Sequence, residues 1–381
     1  MSARERRRHR AAPAAHLDTG PSWSLAHVRR LTDATGIVEH ALGAVPNASE
    51  GYTLDDNARA LVAVVRYHRS TRDPEALELA VRYLSFILYC QTEDGWFHND
   101  VGWDRRFLDT RATGDPVGRA IWALGEAVAG LGLEGLWIGA ARALGRSLPW
   151  ARKLTDLRAV AFTLLGLRAL ARSSHARLKA VDDGMTAGSV KQMAAELAER
   201  LVSAYHRTRR DDWQWFEDRL TYANARLPQA LVAAWEVTGH GPFLEVAVAT
   251  YRFLWDHLWN GAYLDLVGNR GWWVRGQARA RYDQQPVDAG AMAETAASLY
   301  VATGRVEYLT QAERALEWFY GRNALGAPLY DEATGGCRDG LGPDGVNANE
   351  GAESTLAHLL ARMAVEEARR RAALPRTRAM A

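Results

Sequence analysis

The sequence predicts an all-α fold, an (α/α)6 barrel, from three observations. Apolar residues recur at helical spacing along the chain. The helical segments come in pairs, with short links inside a pair and long links between pairs. First members are apolar on nearly every face and second members are amphipathic, as the inner and outer helices of a ring must be.

The first pair is expected at Asp55–Arg69 and Pro74–Gln91, and the second at Pro116–Ala129 and Leu133–Ser147. Thr155–Arg172 pairs with a helix from near Met185 to His206. Tyr222–Thr238 pairs with Pro242–Trp259, and Val287–Thr303 with Val306–Asn323. A last helix, about Glu350–Arg370, has no following mate, and Ser24–Leu31 can supply it and close the ring. An open solenoid would need polar capping repeats at both ends. The long links Thr92–Asp115, Arg207–Thr221, Asn260–Pro286 and Ala324–Asn349 each lead into an inner helix, so they share one rim. Long ordered connections of this kind are usually functional.

The expected organisation is a single barrel domain over residues 21–371, between disordered basic tails at 1–20 and 372–381. The net charge is +2, and the basic runs Arg4–Arg10 and Arg369–Arg378 supply the excess, which leaves a mildly acidic interior. That balance argues against nucleic acid as a partner. No apolar segment reaches the ~18–20 residues of a membrane helix. Nothing resembles a signal peptide. Cys90 and Cys337 are expected to be buried free thiols of a cytoplasmic protein.

Acidic or polar clusters open the inner helices: Asp55-Asp56-Asn57 after Tyr52, Gly114-Asp115-Pro116, Thr155-Asp156, Pro286-Val-Asp288, and Asn347-Ala-Asn-Glu350-Gly-Ala-Glu353. The fourth helix follows Trp213-Gln-Trp215-Phe-Glu217-Asp218 and carries Asn224 and Arg226. Helix capping and the macrodipole explain isolated acids such as Asp115 and Asp156. They do not explain adjacent aspartates, or a Glu-Asp pair ahead of its helix. Acids converging on one rim should raise one another's pKa values. Trp96, Trp103, Trp213, Trp215, Tyr222, Trp272, Trp273 and Tyr282 interleave with them. Each aromatic can pin its loop to the body, or stack on the apolar face of a sugar ring. Acids with indoles describe a carbohydrate cleft. Neither histidine spacing nor an Asp-rich motif predicts a metal, and no cofactor is expected.

Four stretches go further: Leu31-Thr-Asp-Ala-Thr-Gly-Ile-Val-Glu-His40-Ala, Gly51-Tyr-Thr-Leu-Asp-Asp-Asn-Ala-Arg-Ala60, Gly114-Asp-Pro-Val-Gly-Arg-Ala120, and Trp215-Phe-Glu-Asp-Arg-Leu-Thr-Tyr-Ala-Asn-Ala-Arg-Leu-Pro228. With them, about residues 24–365 resemble a bacterial six-hairpin glycosidase-like family, often fused or adjacent to glycosyltransferases and found near mannoside phosphorylases. The resemblance implies an (α/α)6 barrel in glycan metabolism, with a glycosyltransferase or a glycoside phosphorylase as pathway partner.

The leading expectation is a metal-independent, inverting glycoside hydrolase acting on a neutral mannoside or glucoside. Glu217 or Asp218 is expected as general acid, because an aromatic setting raises a carboxyl pKa. Asp56 or Asp115 is expected as base, with Asp288 and Glu350 as further candidates. Tyr52, Asp55, Asn57, Arg226 and the loop tryptophans would orient the sugar. A sugar epimerase or isomerase on the same barrel, and a non-catalytic glycan-binding module of a glycosyltransferase system, are the alternatives.

Overall fold

The computed structural model describes residues 24–374 and contains a closed double ring of helices. Along the chain these are α1 (Ala26–Arg30), α2 (Leu54–Thr71), α3 (Pro74–Cys90), α4 (Gly114–Gly130), α5 (Glu134–Ala151), α6 (Leu157–Leu170), α7 (His175–Val181), α8 (Ala187–Thr208), α9 (Arg226–Thr238), α10 (Gly241–Leu258), α11 (Pro286–Thr303), α12 (Val306–Glu317) and α13 (Ala352–Ala373). Helices α2, α4, α6, α9, α11 and α13 each pack against the next, and α13 returns to α2. These six form the inner ring. Outside it α3, α5, α8, α10 and α12 each pack on their inner mates, and α1 packs on α13. The tail segments 1–20 and 375–381 lie outside the described residues, while α13 runs through Ala373 into the expected C-terminal tail.

Local chemistry sets the helix ends. The Thr53 side chain caps α2 by accepting from the Asp56 N–H at 3.1 Å. Asp73 caps α3 at 2.9 Å, with Pro74 in its first turn. Helices α9 and α11 stop at Gly239 and Gly304, both left-handed. Inner helices approach closely where glycine meets glycine: a Cβ on Gly125 of α4 would stand 2.5 Å from the Gly166 carbonyl oxygen of α6. Three details differ from the sequence reading, the first being that α12 stops at Glu317 and does not reach Asn323. The link between α6 and α8 carries the extra short helix α7. The fourth inner helix starts at Arg226, because residues 221–225 form a turn in which Ala223 has φ +48°.

All six inner helices point the same way. Arg66 and Glu126 pair at 2.6 Å in the C-terminal halves of α2 and α4, and Arg226, the first residue of α9, pairs with Glu294 near the middle of α11. The long links gather at the N-terminal ends, where short antiparallel ribbons stiffen them: Tyr52–Thr53 with Asp100–Val101, Arg219–Leu220 with Trp273–Val274, and Gly340–Gly342 with Gly345–Asn347. No described helix is long and apolar enough to cross a membrane. Cys90 and Cys337 are buried and free.

Candidate active site

A cavity of about 1090 Å³ opens on the N-terminal rim. Its floor is the first turns of α2, α4 and α13, which supply Asp55, Asp56, Asp115, Arg119 and Glu353. Its walls come from the segment before α2, which gives Glu39, His40 and Glu50, and from the 339–349 hairpin, which gives Asp339 and Asp344. Asp283 and Arg270 close the remaining side.

The floor is organised by two buried arginines. Arg59, one turn into α2, bonds Asp56, Asp55 at 2.9 Å and Glu353 at 2.8 Å, so one guanidinium ties α2 to α13. Arg119 of α4 pairs with the other oxygen of Asp55 and lies 4.0 Å over the Phe162 ring. Asp56 also accepts from the Thr53 hydroxyl, so both its oxygens are engaged. Burial pushes the Asp56 carboxyl up to about 6 against the opposing pull of Arg59. Asp115 faces the cavity with its Oδ2 accepting from the Tyr222 hydroxyl. Burial raises its pKa as well, while the Tyr222 bond and Arg119 pull the other way.

Glu39 stands apart. Burial, then the charges of Asp56, Asp100, Asp55 and Glu50, push its carboxyl up to about 8. Its side chain remains 32% exposed toward the cavity, so it is both proton-bearing at neutral pH and reachable. Asp339 is also raised by burial, while the Ser354 hydroxyl and the Gly351 N–H hold its carboxylate.

Of the residues singled out from sequence, Asp55, Asp56, Asp115 and Tyr222 meet at this cavity. Glu217 and Asp218 do not line it: Glu217 pairs with Arg158 at 3.1 Å, and Asp218 with Arg275 at 2.8 Å near the surface. Asp288 is buried beneath the turn that carries Tyr222, held by the Ala223 and Asn224 N–H groups, and burial pushes it up to about 7. Glu350 is buried against α1, where its Oε2 accepts from Thr334 at 2.7 Å and its backbone carbonyl meets His27 Nε2 at 2.8 Å. Asn57 bonds the Ile37 N–H and the Thr53 carbonyl, and Asn224 bonds Thr221 and Arg158, so both fix backbone. Arg226 belongs to the charged plug lower in the barrel, 5.4 Å over Trp122.

The aromatics mostly hold loops. Trp213 and Trp215 are buried, with Trp213 edge-on to Trp273 at 5.0 Å and its Nε1 donating to the Glu217 carbonyl. Trp96 donates to the Ala112 carbonyl. Trp103 stacks on Tyr52, whose hydroxyl donates to Asp33 at 2.6 Å. Trp272 backs Tyr222 at 6.2 Å, and Tyr282 lies under Arg281. Only Tyr222 among all of these lines the cavity. Glu39, Asp339 and Asp344 lay outside the sequence reading, because they sit in loops ahead of their helices. The one available signal was Glu39-His40 inside the Leu31–Ala41 motif. Among the described residues no three His, Cys, Asp or Glu side chains group to hold a metal ion.

The sequence matches no family model and no curated protein. Its fold is shared with solved structures. A sugar epimerase from a ruminal bacterium aligns at TM-score 0.69 and 12% identity, over 92% of this chain and 97% of that one. The cellobiose 2-epimerase of Bacillus thermoamylovorans aligns at TM-score 0.68 and 12% identity, over 92% and 95%. An α-1,6-mannanase of a Salegentibacter species aligns at TM-score 0.60 and 13% identity, over 91% and 97%. The chain is an (α/α)6 barrel. That architecture now carries the rim cavity described above.

Proposed function

We propose that the chain is a carbohydrate-active enzyme, a glycoside hydrolase that works with carboxylates at the rim cavity. The observation that carries this reading is the pair of unlike carboxyls on one cavity. Glu39 is pushed up to about 8 and holds its proton at neutral pH. Asp115 is anchored through Oδ2 by Tyr222 and faces the same space. In this reading Glu39 gives its proton to the glycosidic oxygen as the C–O bond breaks. Asp115 takes a proton from a water that attacks the anomeric carbon from the opposite side. Asp55, held by Arg59 and Arg119, accepts sugar hydroxyls.

The test is incubation with manno- and gluco-oligosaccharides, reading new reducing ends. Glu39→Gln and Asp115→Asn should each lower release about 100-fold or more, in line with the worth of a general acid or base. Undiminished release in both variants sinks the assignment. A second reading, a sugar epimerase or isomerase, is favoured by the fold likeness to two epimerases. It predicts interconverted sugars without new reducing ends. His40 is the one histidine among the described cavity residues, which supplies less base chemistry than the acids do. A cytoplasmic place beside a glycosyltransferase or glycoside phosphorylase belongs to the same proposal.

A further inference from the structure

Arg158, the second residue of α6, is buried and gives its guanidinium to a single turn, residues 221–224. Its Nε donates to the Tyr222 carbonyl at 2.7 Å, and its Nη2 to the Thr221 hydroxyl at 2.6 Å and to Asn224 Oδ1 at 3.3 Å. Nη1 meets Glu217 at 3.1 Å. The guanidinium carbon also lies 4.8 Å over the Tyr222 ring. Glu217, Thr221, Tyr222 and Asn224 all belong to the Trp215–Pro228 motif, so four residues of that motif meet on one arginine from another helix.

The turn needs holding. Ala223 sits at φ +48°, a left-handed conformation that strains any residue with a Cβ. Asn224 closes the turn, accepting from the Thr221 N–H at 3.0 Å and donating to the Thr221 carbonyl at 2.7 Å. From α11, Asp288 takes the Ala223 and Asn224 N–H groups. What the turn delivers is the Tyr222 hydroxyl, the only hydrogen-bond donor to the Asp115 carboxylate among the described residues. The charged groups around Asp115 are Asp55 on α2, Arg119 on its own helix, and Asp156 and Arg158 at the start of α6. Arg119 is paired with Asp55, and among the described residues no cation bonds Asp115 directly. A hydrogen bond to the ionised form of a carboxyl favours that form. The charge state of Asp115 therefore depends on where the turn puts Tyr222.

We propose that Arg158 is the positioning residue of the Tyr222–Asp115 pair: its fork fixes the turn so that the phenol holds Asp115 ionised. The inference rests on the reading of Asp115 as base and names what keeps it in that state. A guanidinium suits the task because its planar donors span a carbonyl, a hydroxyl and an amide oxygen at once while its face lies on the ring. A lysine would keep the charge and lose that geometry. Removing the fork lets the turn relax, loosens the Tyr222 bond and leaves Asp115 easier to protonate. A purely structural arginine would change stability and leave the Asp115 titration alone.

The experiment follows the Asp115 carboxyl by NMR across pH, in the full chain isotopically labelled at aspartate, with Asp115→Asn to assign the resonance. Arg158→Lys is expected to raise the Asp115 midpoint by about one pH unit, and Tyr222→Phe to raise it as much or more. The double variant should stand no higher than Tyr222→Phe alone, because both changes act through one hydroxyl. Arg200→Lys, which loses a fork on the Leu154 and Arg152 carbonyls instead, should leave the midpoint in place. If Arg158→Lys does not fold by circular dichroism, Thr221→Val, which removes one guanidinium bond, carries the same comparison. An unmoved midpoint in the folded Arg158 or Thr221 variant overturns the proposal. So do shifts that add fully in the double variant, since the arginine would then act on Asp115 without Tyr222. The titration needs no substrate. If the parent cleaves no saccharide while the midpoints move as expected, the hydrolase reading fails and the positioning stands. If it cleaves and Arg158→Lys keeps both the midpoint and the acidic limb of kcat, the positioning fails and the hydrolase stands.

Discussion

A carboxyl that stays protonated at neutral pH is the chemical resource of this cavity, and Glu39 is its clearest holder. If Glu39 is the acid, activity should fall as pH rises through about 8, where the proton is lost. It should also fall at low pH, when Asp115 becomes protonated. Initial rates across pH check both limbs, and Glu39→Gln should remove the upper one from whatever activity remains. Asp288 makes a separate prediction about stability. Its pKa is about 7 in the fold against about 4 in an unfolded chain. The neutral form is the one the fold prefers, so the stabilisation is complete below about pH 4 and is lost as pH rises through 7. Asp288→Asn should therefore flatten the pH dependence of urea stability and gain on the parent at pH 8. A parallel pair of curves would refute this placement of the proton. These residues were only partly legible. Asp55, Asp56 and Asp115 follow from acids at helix starts, whereas the burial that tunes Glu39 and Asp339 depends on loops folding back, which no periodicity encodes.

The tryptophans act at the scale of the element. They stand in loops, as a sugar-stacking cleft would require, yet Trp213, Trp273 and Phe253 pack with one another and fasten the α8–α9 link to α10. Trp213→Ala should cost about 3–5 kcal/mol by chemical denaturation. Saccharide affinity should survive that change under conditions where the variant is folded. Tyr222→Phe should do the reverse, sparing stability and cutting activity, since it removes only the bond to Asp115. The inner helices make a sharper demand. A Cβ on Gly166 would sit 2.7 Å from the Ile121 carbonyl oxygen, so Gly166→Val should destabilise by about 1–3 kcal/mol despite the better helix propensity of valine. The small residues that allow this approach are also why the inner helices read as apolar on every face. Hairpins were legible because proline and glycine mark their ends, at Pro74, Gly239, Pro286 and Gly304. Helix α7 was not, since seven residues carry too few turns to show a period.

At the scale of the molecule, the ring gives every inner helix two inner neighbours. Unfolding by calorimetry should then show one transition, and removing α13 should abolish the fold; a stable remnant lacking α13 would contradict a closed ring. Closure also has a timing. Arg59 and Glu353 are 294 positions apart in the chain, and α13 is the last of the six inner helices along it. Contacts of such separation form late. During synthesis the acids of α2 wait without the wall that completes their cavity. A nascent chain that has not yet made α13 therefore lacks a complete cavity at the rim.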